Sequence, residues 1–350
     1  MARSEAPRSR CGALIGHGSV CEINSAEPED GPAWLEKGVL IVEKQVDTAR
    51  LHEVSAGVFA WVQPDGTWWV NNAGAVAGGD GVLIVDTCAT EQRTRRFLTA
   101  VAEATGDAPV RMAVNTHQHG DHSYGNSLLP DQTVIFGHAA MRDALLADPL
   151  IDGCPPIWTP VPDWGNVTRR VPSVGFQSEL TLFAGKRRIE LRHLGHAAHT
   201  AGDVVVRLPE ERVLYTGDLV FNGLTPLLLM GSVEGALKSL DWLADFEAEH
   251  VVPGHGPLAA ASDLPEILAV HERYYRFVLE VARKGRENGL TPLAAAQEAD
   301  LGEFAGWGDA ERLVLNLHRA YAEAVGGEVD LLAAFGDTMT WNGGPLPTSV

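Results

Sequence analysis

Short apolar runs closed by turn residues fill the first two-thirds of the chain, and helical periodicity fills the last third. Residues 39–42, 58–62, 68–70 and 82–85 are β-branched or aromatic runs bounded by Gly, Pro, Asp or Asn, and each predicts a strand. A helix is expected over 90–105, where Phe97, Leu98 and Val101 form an apolar stripe and arginines occupy the polar side. Residues 110–114 return to a buried strand, and a strand at 133–136 and a short helix at 139–147 follow. Segments 180–184 and 188–194 read as a hairpin about Gly185-Lys186, and 204–208 and 212–215 as another about Pro209-Glu-Glu-Arg212. From Ser262-Asp263 the period changes. Leu264, Ile267, Leu268, Tyr274, Val278 and Val281 recur at helical spacing, and further helices are expected over 290–299 and 310–325.

This succession predicts three regions. Residues 1–36, polar and rich in Pro and Gly without a period, read as a loose N-terminal arm. Residues 37–260 form the main body, and 261–350 a helical extension packed on it. Mixed strands and helices, with chemistry-bearing residues at strand ends, predict an α/β (α+β) four-layer αββα sandwich whose site opens along one edge.

Composition removes some partners. The formal charge of −19 excludes a nucleic-acid substrate, because phosphate recognition requires a basic surface. Cys11, Cys21, Cys88 and Cys154 have no paired spacing and read as reduced thiols of a cytoplasmic protein. The N-terminal arginines precede no sufficient apolar stretch for a signal peptide, and no run approaches a membrane span. A soluble intracellular protein is expected, with the helical extension closing over the site or offering a homodimer surface.

The chemistry is concentrated in Thr116-His117-Gln118-His119-Gly120-Asp121-His122. Alternate residues of an extended segment point the same way, so His117 and His119 can grip one ion. Asp121 and His122, around the bend, are free to face a second. Zinc accepts imidazole nitrogen and carboxylate oxygen, and iron and manganese accept them as well. Two shells need more donors, and three lie at other strand ends: His199 before 204–208, Asp218 after 212–215, and His255 in Pro253-Gly-His-Gly256. His17, His52, His138, His250, His271 and His318 read as ordinary core or surface residues.

This order resembles the metallo-β-lactamase-fold hydrolases, with their H-x-H-x-D-H run followed by a histidine, an aspartate and a histidine at successive strand ends. The resemblance implies two zinc ions per chain. His117, His119 and His199 would hold the first, Asp121, His122 and His255 the second, and Asp218 would bridge them. Asp121 and Asp218 would also hold the nucleophile in line. It further implies an acid at an earlier strand end that orients a ligand imidazole through its free N–H, and Asp86 occupies that place. Leu194-Gly-His-Ala-Ala-His199 has one residue more than the usual pattern and offers two histidines; the His-Thr-x-Gly-Asp match favours His199, leaving His196 as a pocket wall or a supporting group. A di-iron redox relative would carry glutamate at the position of His119.

Two apolar, aromatic segments are expected to line the substrate pocket: the loop 148–175, with Trp158 and Trp164, and 221–230, with Phe221, Leu224, Leu227 and Met230. From about residue 51 the chain is more narrowly similar to cyclases and thioesterases of bacterial aromatic (type II) polyketide pathways. Trp69-Val-Asn-Asn-Ala-Gly-Ala, Asn115 to Asn126, Gly223-Leu-Thr-Pro226 with Gly231-Ser232, and Trp341-Asn-Gly-Gly-Pro-Leu-Pro347 carry that likeness. It implies aldol closure of a polyketide and thioester release from an acyl carrier protein. A lactonase, a glyoxalase II-like thioesterase or a β-lactamase is the alternative use of the same donors, and a non-catalytic metal-binding scaffold is a third.

Overall fold

The structure, a computed structural model, describes residues 48–350; the expected arm at 1–36 and strand at 39–42 fall outside them. β1 (Arg50–Ser55), β2 (Val58–Val62), β3 (Ala73–Gly78) and β4 (Gly81–Val85) form an antiparallel run. Helix α1 (Glu91–Thr105) crosses to β5 (Val110–Val114), which lies parallel to β4. Thr90 starts this helix by accepting the Arg93 N–H, and Gly106 ends it at φ 63°, a left-handed conformation that glycine adopts without strain. One turn, α2 (Gly120–Ser123), precedes β6 (Val134–His138) and α3 (Ala139–Ala147). After the short β7 (Trp158–Thr159), β8 (Val174–Phe176) adds the far edge, giving the order β1-β2-β3-β4-β5-β6-β8.

The second sheet contains β9 (Glu179–Ala184), β10 (Arg187–His193), β11 (Val204–Leu208) and β12 (Val213–Phe221). Helix α4 (Val233–Ala244) connects β12 to its parallel neighbour β13 (His250–His255), and β14 (Ala259–Ala260) closes that edge. The helices α5 (Leu264–Glu287), α6 (Pro292–Glu298), α7 (Arg312–Glu323) and α8 (Leu331–Asn342) follow. β15 (Leu346–Pro347) then pairs in parallel with β7.

Alternation along the strands builds three apolar seams. Val58, Val76 and Val85 meet Ile189, Leu191 and Val206 between the two sheets. Phe97 and Val101 of α1 cover Trp61, Ile84 and Ile135 on the first sheet's outer face. On the other outer face, Val205, Leu214 and Val251 share a core with α4, α5 and α7. The result is the expected four-layer sandwich. Full burial of each such side chain is worth about 1.5–3 kcal/mol, so the seams set which face of every strand turns inward. At Gly74 of β3 a Cβ would overlap the Tyr215 ring, whose hydroxyl crosses the seam to donate to Phe59 O at 2.8 Å.

Several elements depart from the pattern. Residues 68–70 are a buried turn rather than a strand, and Trp69 sits at φ 66°. β3, rich in Gly and Ala, is a strand of low intrinsic preference held by its neighbours. Helices α4 and α8 lie outside the expected elements, although α4 carries an apolar stripe of Val233, Ala236, Leu240 and Leu243 at helical spacing. Among the described residues no helix is long and apolar enough to cross a membrane.

Candidate metal centre

The dense histidine run is stitched to the end of the first sheet before it reaches the site. Asn115 donates to His122 O at 2.8 Å and exchanges hydrogen bonds with Asn126, while Thr87 N also donates to His122 O. Asp86, at the end of β4, takes a left-handed φ of 58°. Its Oδ1 accepts Thr116 N–H at 2.7 Å, and its Oδ2 accepts the Thr116 hydroxyl at 2.7 Å and lies 2.8 Å from His122 Nδ1. The second sheet brings the remaining donors. His199 stands in a turn braced by Asp203, which accepts the Thr200 N–H and hydroxyl. Asp218 lies within β12 where the register breaks around Gly217, and His255 ends β13. A Cβ at Gly254 would overlap the Asp218 carboxylate, so glycine is required for β13 to pass so close.

All seven sequence-derived donors converge, in two groups. His117, His119, His199 and Asp218 form one; Asp121, His122 and His255 form the other. His199 Nε2 lies 3.2 Å from His117 Nε2 and 2.8 Å from His119 Nδ1. Asp218 spans both groups: its Oδ2 is 3.3 Å from both His199 Nε2 and His255 Nε2, and its Oδ1 is 3.1 Å from His122 Nε2. Asp121 Oδ2 is 3.3 Å from His255 Nε2.

The imidazoles are oriented from behind. Nδ1 of His199 pairs with Leu227 O at 2.6 Å, that of His255 with Gly66 O at 2.7 Å, and that of His122 with Asp86. Each pairing turns Nε2 inward as an acceptor. His119 is reversed, with Nδ1 inward and Nε2 3.3 Å from Met230 Sδ.

Several observations show that this donor set fits cations. Nitrogen lone pairs meet at hydrogen-bond range, an arrangement that only a proton or a cation relieves. His122 Nε2 and Asp218 Oδ1 are buried and face each other at 3.1 Å, with no other hydrogen-bond partner. Burial pushes His117 well down, lowers His119, and takes His199 to about 3, so these three rings are neutral and ready to ligate. In the other group burial opposes charge, yet Asp218 and Asp121 carry His255 up to about 9, and Asp218, Asp86 and Asp121 carry His122 well up. Burial would raise Asp121, but His122 and His255 hold it at about 2. The three buried carboxylates thus draw positive charge into the pocket, and two divalent ions satisfy that demand with the donors present.

Residues 66–255 match the sequence profile of the metallo-beta-lactamase superfamily. The chain belongs to that superfamily. It is 29% identical over 189 residues to the 2,4-dinitroanisole O-demethylase subunit alpha of Nocardioides sp. (strain JS1661), covering 52% of this chain and 51% of that one. It is 25% identical over 222 residues to the human acyl-coenzyme A thioesterase MBLAC2, covering 55% and 78%. Among solved structures, the stereoselective inverting sec-alkylsulfatase Pisa1 from Pseudomonas sp. superposes with a TM-score of 0.62 at 18% identity, covering 81% of this chain and 51% of that one. The chain spans about half the length of the demethylase subunit and of the alkylsulfatase. At that identity the alkylsulfatase shares the superfamily fold.

In this superfamily member the donors open onto a cavity of about 370 Å³. His119, Asp121, Asp218 and His255 form one end, and Trp158, Phe221, Leu227 and Met230 line it as the sequence suggests. Trp164 and Leu224 do not. Trp164 packs behind Trp69, ring centroids 4.8 Å apart, and donates its indole N–H to Leu150 O. Leu224 is turned away to bridge with Gly308. His196 does not support the donors either: its Nε2 lies 3.1 Å from Gly235 O in the first turn of α4. Sequence patterning missed Trp68, Trp69 and Tyr124, and also Arg312 and Phe335 from the C-terminal helices, all of which line the cavity. One signal was available. Two consecutive amides, Asn71 and Asn72, follow the tryptophan pair in an otherwise apolar stretch; both prove to be buried, and Asn72 donates to Pro253 O and Gly256 O on either side of His255.

Proposed function

We propose that this chain is a dinuclear metal-dependent hydrolase of acyl bonds, with zinc as the metal, and that it releases or cyclises an aromatic polyketide intermediate held as a thioester on an acyl carrier protein. The convergence of seven donors from both sheets on one cavity carries the hydrolase reading. The aromatic cavity walls support the flat substrate, and the likeness to an acyl-coenzyme A thioesterase supports the thioester.

His117, His119 and His199 would hold one cation, Asp121, His122 and His255 the other, and Asp218 both. Ions held there would lower the pKa of water from 15.7 to about 7 and would polarise a carbonyl oxygen. Asp121, at the cavity wall, accepts a hydrogen bond from the attacking water and holds it in line with the acyl carbon. Trp68, Trp158 and Phe221 pack the aromatic acyl group and exclude bulk water from the thioester. For ring closure the same walls keep the chain folded so that its reacting carbons meet. A lactone or β-lactam would engage the same donors, but its small ring would leave most of the aromatic wall uncovered.

The test compares an aromatic acyl thioester of N-acetylcysteamine with an aliphatic lactone and a penicillin. The thioester is expected to turn over fastest, and activity should fall to background with a chelator, in His117→Ala and in Asp218→Ala. Undiminished thioester hydrolysis in those variants overturns the metal mechanism; a clear preference for lactone or penicillin overturns the substrate.

A further inference from the structure

His255 is held at two points, and both holds lead to the start of helix α7. Its Nδ1 pairs with Gly66 O at 2.7 Å. The two residues after Gly66 are fixed from 309–311: the Thr67 hydroxyl donates to Asp309 Oδ1 at 2.6 Å and the Trp68 indole N–H to Glu311 Oε1 at 2.6 Å. The imidazole also stacks on Phe221, with ring centroids 5.1 Å apart and planes within 6°. Arg312 joins the two holds. Its guanidinium carbon lies over the Trp68 ring at 4.5 Å and over the Phe221 ring at 5.4 Å. The side chain is 2% exposed, ion-paired with Asp309 at 2.8 Å, and donates to Thr225 O at 2.9 Å.

We propose that Arg312 is a positioning residue for His255, so that its stack on Trp68 and Phe221 sets the cation affinity of the Asp121–His122–His255 group more than that of the His117–His119–His199 group. This rests on reading both groups as cation ligands. A planar guanidinium fills the space between Trp68 and Phe221 and fixes both rings while its edge stays paired with Asp309. Trp68 anchors the turn that presents Gly66 O, and Phe221 supports the imidazole face. Freed from either, the ring can rotate about its side-chain bonds and carry Nε2 off the line shared with Asp121 and Asp218. The other group has its own supports. His199 is held by Leu227 O, and Asn316, one turn further along α7, fixes that segment through Leu228 N–H and Pro226 O; Phe221 meets the His199 ring only at a tilt, with centroids 5.9 Å apart and planes at 59°.

Two variants test this. Arg312→Lys keeps a cation for Asp309 and a donor for Thr225 O but removes the planar stack. Thr67→Val removes only the hydroxyl contact to Asp309, and it serves if Arg312→Lys fails to fold. Metal-free protein is titrated with zinc against a competing chelator and, separately, with cobalt while its visible absorption is followed. Wild-type protein should take up two ions. In each variant one ion should bind about 10–100-fold more weakly, the usual consequence of losing support behind a ligand, with the other weakened less. The cobalt bands of the more weakened ion should shift most, which general destabilisation would not produce. Two tight ions in both variants, or equal weakening of both ions, overturns the assignment of Arg312 alone. Wild-type protein that takes up neither metal overturns the two-cation reading and this inference together.

Discussion

Asp86 serves two partners with one carboxylate, anchoring Thr116 at the start of the histidine run and His122 within it. Asparagine tolerates the left-handed backbone at this position, so Asp86→Asn isolates the loss of one acceptor oxygen. Its amide N–H would then oppose either the Thr116 donors or His122 N–H. Zinc affinity of the His122 group is expected to fall about 10–100-fold, read by chelator competition. His271 makes a pH prediction. Burial holds it at about 4, and its neutral ring donates from Nδ1 to Ile267 O while Nε2 accepts Phe221 N–H. An unfolded histidine titrates near 6.5, so below that pH the unfolded chain binds a proton that the native one refuses. Stability should therefore decline as pH drops from about 6.5 to about 4, by up to roughly 3 kcal/mol. Urea unfolding of His271→Gln should show a flatter profile over that interval. The donors were legible residue by residue because each sits in a short polar motif next to a strand-like run, with a glycine close by. Trp164 and Leu224 were misplaced because an apolar loop residue carries no sign of whether it faces a cavity or the protein behind it.

At the scale of elements, patterning recovered strands with β-branched runs and the helices α1, α3, α5, α6 and α7. It ended one strand at Tyr215, whereas β12 continues through Phe221 with Asp218 inside it. The continuation is possible because Gly217, at φ 52°, bends the strand and shifts its register against β13. β3 was hidden because Ala and Gly give no strand signal of their own. Its small residues are nonetheless required: Gly74 makes room for Tyr215, the side chain that crosses the seam between the sheets. Gly74→Ala should destabilise the protein by about 1–3 kcal/mol through overpacking, seen as a lower urea midpoint with an unchanged slope.

At the scale of the molecule, the layered architecture was readable, and the share of the C-terminal helices in the cavity was not. That share depends on contacts such as Trp68 with Glu311, which are 243 positions apart in sequence. The donors also join the two sheets: His117 to His122 follow β5 of the first, and Asp218 and His255 belong to β12 and β13 of the second. An ion shared between them would bind the folded chain alone, so a free concentration 1,000-fold above the dissociation constant should add about 4 kcal/mol of stability. A chelator should accordingly lower the thermal midpoint, and restored zinc should return it. The crowding of indoles around the cavity has a practical consequence. Of nine tryptophans, Trp68, Trp69 and Trp158 line the chamber and Trp164 touches Trp69 from behind. Any guest that enters must change the surroundings of these fluorophores, so the protein carries an intrinsic optical gauge of its own occupancy and needs no attached dye.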